Sequence, residues 1–298
     1  GTPFTPGPPS FEGRFSNGPT FAEDVADDFS TSLNFAIGGA TATPDNEEAL
    51  PPEFGTFGGQ VANFASFISV PPLRATLGDR PLFSVLFGAN DILQNIGFPG
   101  DFDIVPGIGA MAADAIAETI RAIRALDASF TDFAVMNLPD LSQTPLFLNP
   151  AFGAGALAPL AAAETAGFNM QLAANIDDLR SDGLNIIEFD LQALFGDLIA
   201  DAHLAGIDTL NPCTFERFNQ DPANTCVFSP GSPDNIDLAL ADNFFFVDQI
   251  HPNRVVHATF ADEFRNAFAP AAVPLPAGLP LMLVGLGAFA LVRRRATG

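Results

Sequence analysis

Four short apolar runs, alternating with segments of helical periodicity, constrain this chain more than any other feature. Residues 33–37 (LNFAI), 82–87 (LFSVLF), 132–137 (DFAVMN) and 184–189 (LNIIEF) are near-continuous hydrophobic stretches bounded by polar or glycine-rich turns. Runs of that kind belong to strands covered on both faces, the condition of a parallel sheet. Residues 111–126 place Ala112, Ala115, Ile116, Thr119, Ile120, Ile123 and Leu126 on one helical face. Residues 159–180, 191–204 and 255–268 read as further helices, with Gly183 and Gly206 as stop signals. The alternation predicts an α/β domain, a parallel sheet with helices on both faces. In such folds the functional site forms at the carboxyl ends of the strands.

The length of 298 residues, 48% of them apolar, suits one large domain of this class or two small ones. All twelve basic residues are Arg, and the 31 Phe are accompanied by no Tyr and no Trp. Three of the Arg (Arg293, Arg294, Arg295) stand at the C-terminus, so the rest of the chain carries 9 − 35 = −26. A surface so acidic repels phosphate backbones and anionic lipid, which argues against a nucleic-acid partner. No GxxxxGK[ST] or GxGxxG follows a strand, so nucleotide binding has no support either. The spacing of the two cysteines fits no zinc motif, and the reading needs no cofactor or metal.

Cys213 and Cys226 lie in a Pro-, Asn- and Asp-rich stretch that reads as a loop. In an exported protein they would pair and staple that loop, worth about 3 kcal/mol by loop closure; the alternative is two buried free thiols. The chain opens on Gly1 with no charged segment leading into an apolar run, so it is expected to begin inside a longer protein. Its last residues run VPLPA (273–277), an apolar stretch (278–292) and Arg293-Arg294-Arg295. An apolar helix ending in a basic cluster is a membrane stop, although this one is shorter than a full span. The order resembles the PEP-CTERM sorting signals of Gram-negative bacteria. That resemblance implies export, transient membrane anchoring, handling by exosortase-type machinery, and a surface or extracellular location. The expected domains are 1–268 and a tail, 269–298.

Three segments carry chemistry. Residues 34–41 (NFAIGGAT) place two glycines after the first predicted strand, which permits a tight turn with an outward N–H. Residues 88–91 (GAND) close the second. There Gly88 lets Asn90 project into the cleft, where its amide would donate to a developing oxyanion, and Asp91 would brace the loop. Taken alone, this segment reads more readily as an Asx turn. In residues 248–252 (DQIHP), Asp248 stands three before His251, near enough to hold Nδ1–H and leave Nε2 as a general base. Pro252 would then begin the last helix. A lone DxxH is more often a plain loop pair.

Together the three segments resemble the later blocks of the SGNH/GDSL hydrolases. So do FEGRFSNGP (11–19), NLPDL (137–141) and Thr144-Pro145. The resemblance implies a flavodoxin-like three-layer α/β/α sandwich acting as a serine ester hydrolase, a lipase or esterase. It assigns Asp248 and His251 to the catalytic pair and Asn90 to the oxyanion hole. The oxyanion glycine is Gly38 or Gly39, with alignment on Asn34 favouring Gly39. Gly88 and Asp91 support the site. The family's first block, GDS(L), does not occur in the 298 residues. Its serine nucleophile and the strand before it are expected upstream, and Ser10 and Ser16 are poor replacements. The chain as it stands is expected to be inactive. The competing reading is a surface or matrix protein that keeps the fold for binding alone. His203 and His257 read as structural, Glu12 and Arg14 as a surface pair, and the acidic runs at 23–28 and 45–48 as solvated faces.

Overall fold

The computed structural model describes residues 14–44, 52–97, 105–213 and 241–268. Glu12, the acidic run at 45–48, Cys226 and the tail 269–298 lie outside the described residues. In chain order, α1 (Phe21–Ala26), α2 (Pro52–Gly55), α3 (Phe57–Ile68) and α4 (Pro71–Ala75) precede β1 (Leu82–Val85). Then come α5 (Ala89–Asn95), α6 (Ile108–Leu126), β2 (Asp132–Met136), α7 (Pro145–Leu148) and α8 (Ala158–Ser181). After β3 (Asn185–Phe189) follow α9 (Leu191–Ala205) and α10 (Arg254–Phe268). The chain divides into two compact units, Gly1–Phe264 and Arg265–Gly298. Among the described residues no helix is long and apolar enough to cross a membrane.

The three strands form one parallel sheet in the order β1-β2-β3. All five residues of β2 are buried: Phe133 to Met136 as a continuous apolar run requires, and Asp132 with its carboxylate bonded to Arg80. Side chains alternate across the sheet. Phe133, Val135 and Ile186 pack on one face against Phe64 of α3, Ile92 of α5, Ile116 of α6 and Phe168 of α8. Phe189 faces the other way and meets Phe264 of α10, while Phe195 of α9 meets Phe260. The result is the expected three-layer α/β/α arrangement. Gly183 and Gly206, at φ 87° and 74°, follow α8 and α9 as the stop signals predicted.

The first predicted strand is corrected. Residues 33–37 form no ladder, because Asn34 Oδ1 accepts the Ala36 N–H at 2.9 Å in a local turn that takes the place of strand pairing. Phe35 still reaches the core, edge-on to Phe64 at 5.7 Å. β1 also stops at Val85, two residues early. Phe87 leaves the ladder to stack on Phe57, with ring centroids 4.4 Å apart.

The long helices α6 and α8 are joined by a contact with no motif in the sequence. Gly107, the residue before α6, offers no side chain to cap it. Glu164 of α8 supplies the missing acceptor: its carboxylate takes the Gly107 N–H at 2.9 Å and the Gly109 N–H at 3.0 Å. A negative charge at a helix N-terminus is also favoured by the helix dipole. Gly109 must be small, since a Cβ there would overlap the Glu164 carbonyl oxygen. Glu164→Ala would orphan the buried Gly109 N–H and remove the acceptor of the more exposed Gly107 N–H. We expect it to cost about 2 kcal/mol, read as a lower urea midpoint at unchanged slope.

Candidate active site

The site begins where β1 ends. Gly88 adopts φ 109°, and a Cβ there would also stand 2.8 Å from Phe168 Cζ, so glycine is required on two counts. The turn leads into α5 and brings Asn90 and Asp91 to the strand's carboxyl end. Asp91 is buried at 3% exposure. Its carboxylate accepts Ala42 N–H at 2.8 Å, Thr43 N–H at 2.9 Å and Thr43 Oγ1–H at 2.7 Å. Burial pushes its pKa up against those three donors. The side chain thus braces the neighbouring segment rather than its own loop.

Two more bonds complete the seam. Asn90 Nδ2 donates to Ala40 O at 2.8 Å, and Gln94 Nε2 donates to Gly39 O at 2.9 Å. An amide nitrogen carries two protons, so Asn90 keeps a second N–H beyond the one given to Ala40. The paired glycines have different tasks. Gly39 takes φ 83° and makes the turn. Gly38 makes room: a Cβ on it would stand 2.9 Å from Phe15 Cδ2 and 3.0 Å from Cζ, and would overlap Cε2.

Phe15 leads from this turn to the histidine. Its ring lies 4.6 Å from the His251 ring, tilted by 34°. His251 Nδ1 stands 2.7 Å from Asp248 Oδ2, and Asp248 Oδ1 accepts the N–H groups of Ile250 (2.9 Å) and His251 (2.8 Å). A carboxylate on Nδ1 assigns the proton there and leaves Nε2 as the acceptor. Burial raises the Asp248 pKa, but the charge and hydrogen bond of His251, with the two N–H donors, outweigh it and hold the carboxyl below its ordinary range. The loop is tied down by Leu146 N–H donating to Gln249 O and Val247 N–H donating to His251 O, both at 2.9 Å. The start of α5, entered through Gly88, is thus bonded through Asn90, Asp91 and Gln94 to residues 39–43, and Phe15 lies between that turn and His251, which Asp248 holds. Cys213 is buried, with its N–H on Phe246 O at 2.8 Å; its expected partner Cys226 is not among the described residues.

Some local expectations change. Pro252 does not begin α10. Asn253 caps it by accepting Val255 N–H (2.9 Å) and Val256 N–H (3.0 Å), and the helix starts at Arg254. Glu23 is no solvated acid: both its oxygens accept from Arg14 Nε, at 2.8 and 3.0 Å, and it caps α1 through Thr20. The Arg14 contact, against burial, holds Glu23 down to about 2. His257 joins α10 to α1 by accepting Phe21 N–H at 3.3 Å. Burial first, and then the charge of His251, push it down to about 4, opposed by Glu23. Ser16 is fully buried, and among the described residues its Oγ has no hydrogen-bond partner, His251 included. A second set of residues overlooked in the sequence shapes the end of β2. Asn169 accepts Leu138 N–H and donates to Leu138 O, both at 2.8 Å, while Asn137 Nδ2 donates to Asp190 at 2.8 Å. The NLPDL motif marked this segment but gave no sign of its partners.

An oriented imidazole with a free Nε2, across an aromatic ring from a glycine turn and an amide N–H, is equipped for proton transfer beside a developing negative charge. Among the described residues no group of three or more His, Cys, Asp or Glu is placed to hold a metal ion. A model of the family described as GDSL-like Lipase/Acylhydrolase matches residues 4–264. The chain is 25% identical over 286 residues to a phosphatidylcholine-sterol acyltransferase of Aeromonas hydrophila, covering 86% of this chain and 80% of that one. It is 27% identical over 256 residues to a thermolabile hemolysin of Vibrio parahaemolyticus, covering 85% of this chain and 55% of that one.

Two outcomes follow from these contacts. Asp91→Ala strands three buried donors and is expected to cost about 3 kcal/mol in chemical denaturation. The second concerns His257, which folds as the neutral form with its pKa lowered from 6.5 to about 4. The unfolded chain therefore takes up this proton first on acidification. The stability His257 contributes is full above pH 6.5 and is lost as the pH falls to about 4. The urea midpoint of the wild type should fall across that window, and His257→Gln should flatten the fall.

Proposed function

Because the chain belongs to the GDSL-like lipase/acylhydrolase family, we propose that it is the greater part of a serine-dependent acyl hydrolase in which His251 is the general base. The observation that carries this reading is the 2.7 Å contact between Asp248 and His251 Nδ1. In the proposed reaction a serine hydroxyl attacks the carbonyl of an acyl ester. His251 Nε2 takes the serine proton and then delivers it to the departing alcohol. Asp248 holds the tautomer and stabilises the imidazolium. The Gly39 N–H and the second N–H of Asn90 stabilise the oxyanion, and Asp91 and Gly88 keep both donors in place. Water, or a second alcohol, then attacks the acyl-enzyme with His251 again as base. The name of the Aeromonas relative, an acyltransferase, supports acyl transfer as the common chemistry.

The nucleophile in this reading belongs to a GDS(L) block, which the 298 residues lack; the block and its strand would come from an upstream segment. Without them the chain retains its oxyanion donors and binding surface but little rate. The tail from 273 to 295 would direct export and transient anchoring before removal near residues 273–277. In that compartment Cys213 and Cys226 would pair.

The test is hydrolysis of p-nitrophenyl esters of graded acyl length by a protein carrying the GDS(L) block. Asp248→Asn and His251→Gln should each lower kcat by about 10⁴-fold. Asn90→Ala should lower it by about 10²-fold to 10³-fold. No hydrolysis at any acyl length with the block intact would defeat the proposal.

A further inference from the structure

The geometry points to Phe15 as a positioning residue for His251, a role that rests on the hydrolase reading above. A single hydrogen bond from Nδ1 to Asp248 fixes where one ring atom points. It leaves the imidazole able to rock about its side-chain torsions within the tolerance of that bond, and such rocking would displace Nε2, the base of the proposed reaction. A flat neighbour removes the freedom. Phe15 lies 4.6 Å from the imidazole and tilted 34° to it. The same ring also fills the space over Gly38, so it packs against the glycine turn as well as the imidazole.

Phe15 is itself held on both sides along the chain. Arg14 is locked to Glu23 through Nε at 2.8 and 3.0 Å. Asn17 Oδ1 accepts the Arg254 N–H at 2.7 Å, at the start of α10. Gly18 lies against the Arg254 side chain, where a Cβ would stand 2.7 Å from Arg254 Cβ. Asp242 steadies that arginine through Nε at 3.1 Å and NH2 at 2.6 Å. The segment is therefore a built support, and the ring it carries couples the histidine loop to the glycine turn. This assigns Gly38 a purpose distinct from that of Gly39. Gly38 is the seat of Phe15, and Gly39 makes the oxyanion turn.

Two measurements test the role. The chain has three histidines, His203, His251 and His257, so the ring proton resonances of His251 are identified by comparison with His251→Gln. The Phe15 ring should displace them upfield in the 298-residue chain. Phe15→Leu should abolish the displacement, and Gly38→Ala should shift the same resonances while those of His203 stay put. Resonances of His251 that are indifferent to Phe15→Leu would overturn the contact. The second measurement uses the protein with its GDS(L) block. Phe15→Leu and Gly38→Ala should each lower kcat by about tenfold with KM little changed. The double variant should be no slower than the slower single one. Multiplicative losses, or an unaltered kcat in Phe15→Leu, would overturn the positioning role. An inactive parent would instead overturn the hydrolase reading, while the resonance shifts would still report the contact.

Discussion

The buried carboxylate of Asp91 is the constraint on which the site depends. A parallel sheet delivers strand ends to one edge, but it does not align the loops that leave them. Here one side chain at the end of β1 accepts three donors from residues 42 and 43 and fixes the segment carrying both glycines. Asn90 and Gln94 add the bonds to Ala40 and Gly39. Burying a carboxylate is costly unless its oxygens are satisfied, and the three donors offset part of that cost, with burial still the larger effect. The geometry of the turn is therefore tied to the folding of the domain and not to the presence of a ligand.

The histidine loop is organised by similar means at the opposite end of the chain. Asp248 uses one oxygen to close its own turn and the other to hold the imidazole. Leu146 and Val247 pin the loop from outside, and Asn253 starts α10 directly after it. Arg254 then reaches back to Asn17. Segments more than two hundred residues apart in sequence thus meet at one ring contact. The Asp248–His251 contact is local, but its placement beside Phe15 brings the two ends of the domain together.

The layers and the contact between Asp248 and His251 were legible because each has a short-range signature. After Asp132, β2 is an apolar run, α9 begins behind Asp190 and ends at Gly206, and Asp248 and His251 are separated by one turn of chain. What was not legible depends on partners distant in sequence. Nothing around Glu164 announces that it caps a helix beginning at Ile108. Nothing in the acidic run at 23–28 singles out Glu23 as the partner of Arg14. Residues 33–37 failed as a strand for a different reason. Their apolar pattern is genuine and Phe35 is used in the core, but Asn34 offers the backbone a competing bond. Pro252 misled in the same way, since a neighbouring Asn caps a helix better than a proline begins it.

Phenylalanine alone supplies the aromatic packing of this protein, and its rings run through both helical layers. Phe83 touches Phe64, Phe130 and Phe133 on one side of the sheet, and Phe195 touches Phe245, Phe246 and Phe260 on the other. With neither tyrosine nor tryptophan among them, the molecule absorbs almost nothing at the wavelengths that excite indole selectively. A tryptophan introduced at either cluster would be the sole indole emitter, and its fluorescence would follow the opening of one chosen layer against a dark background.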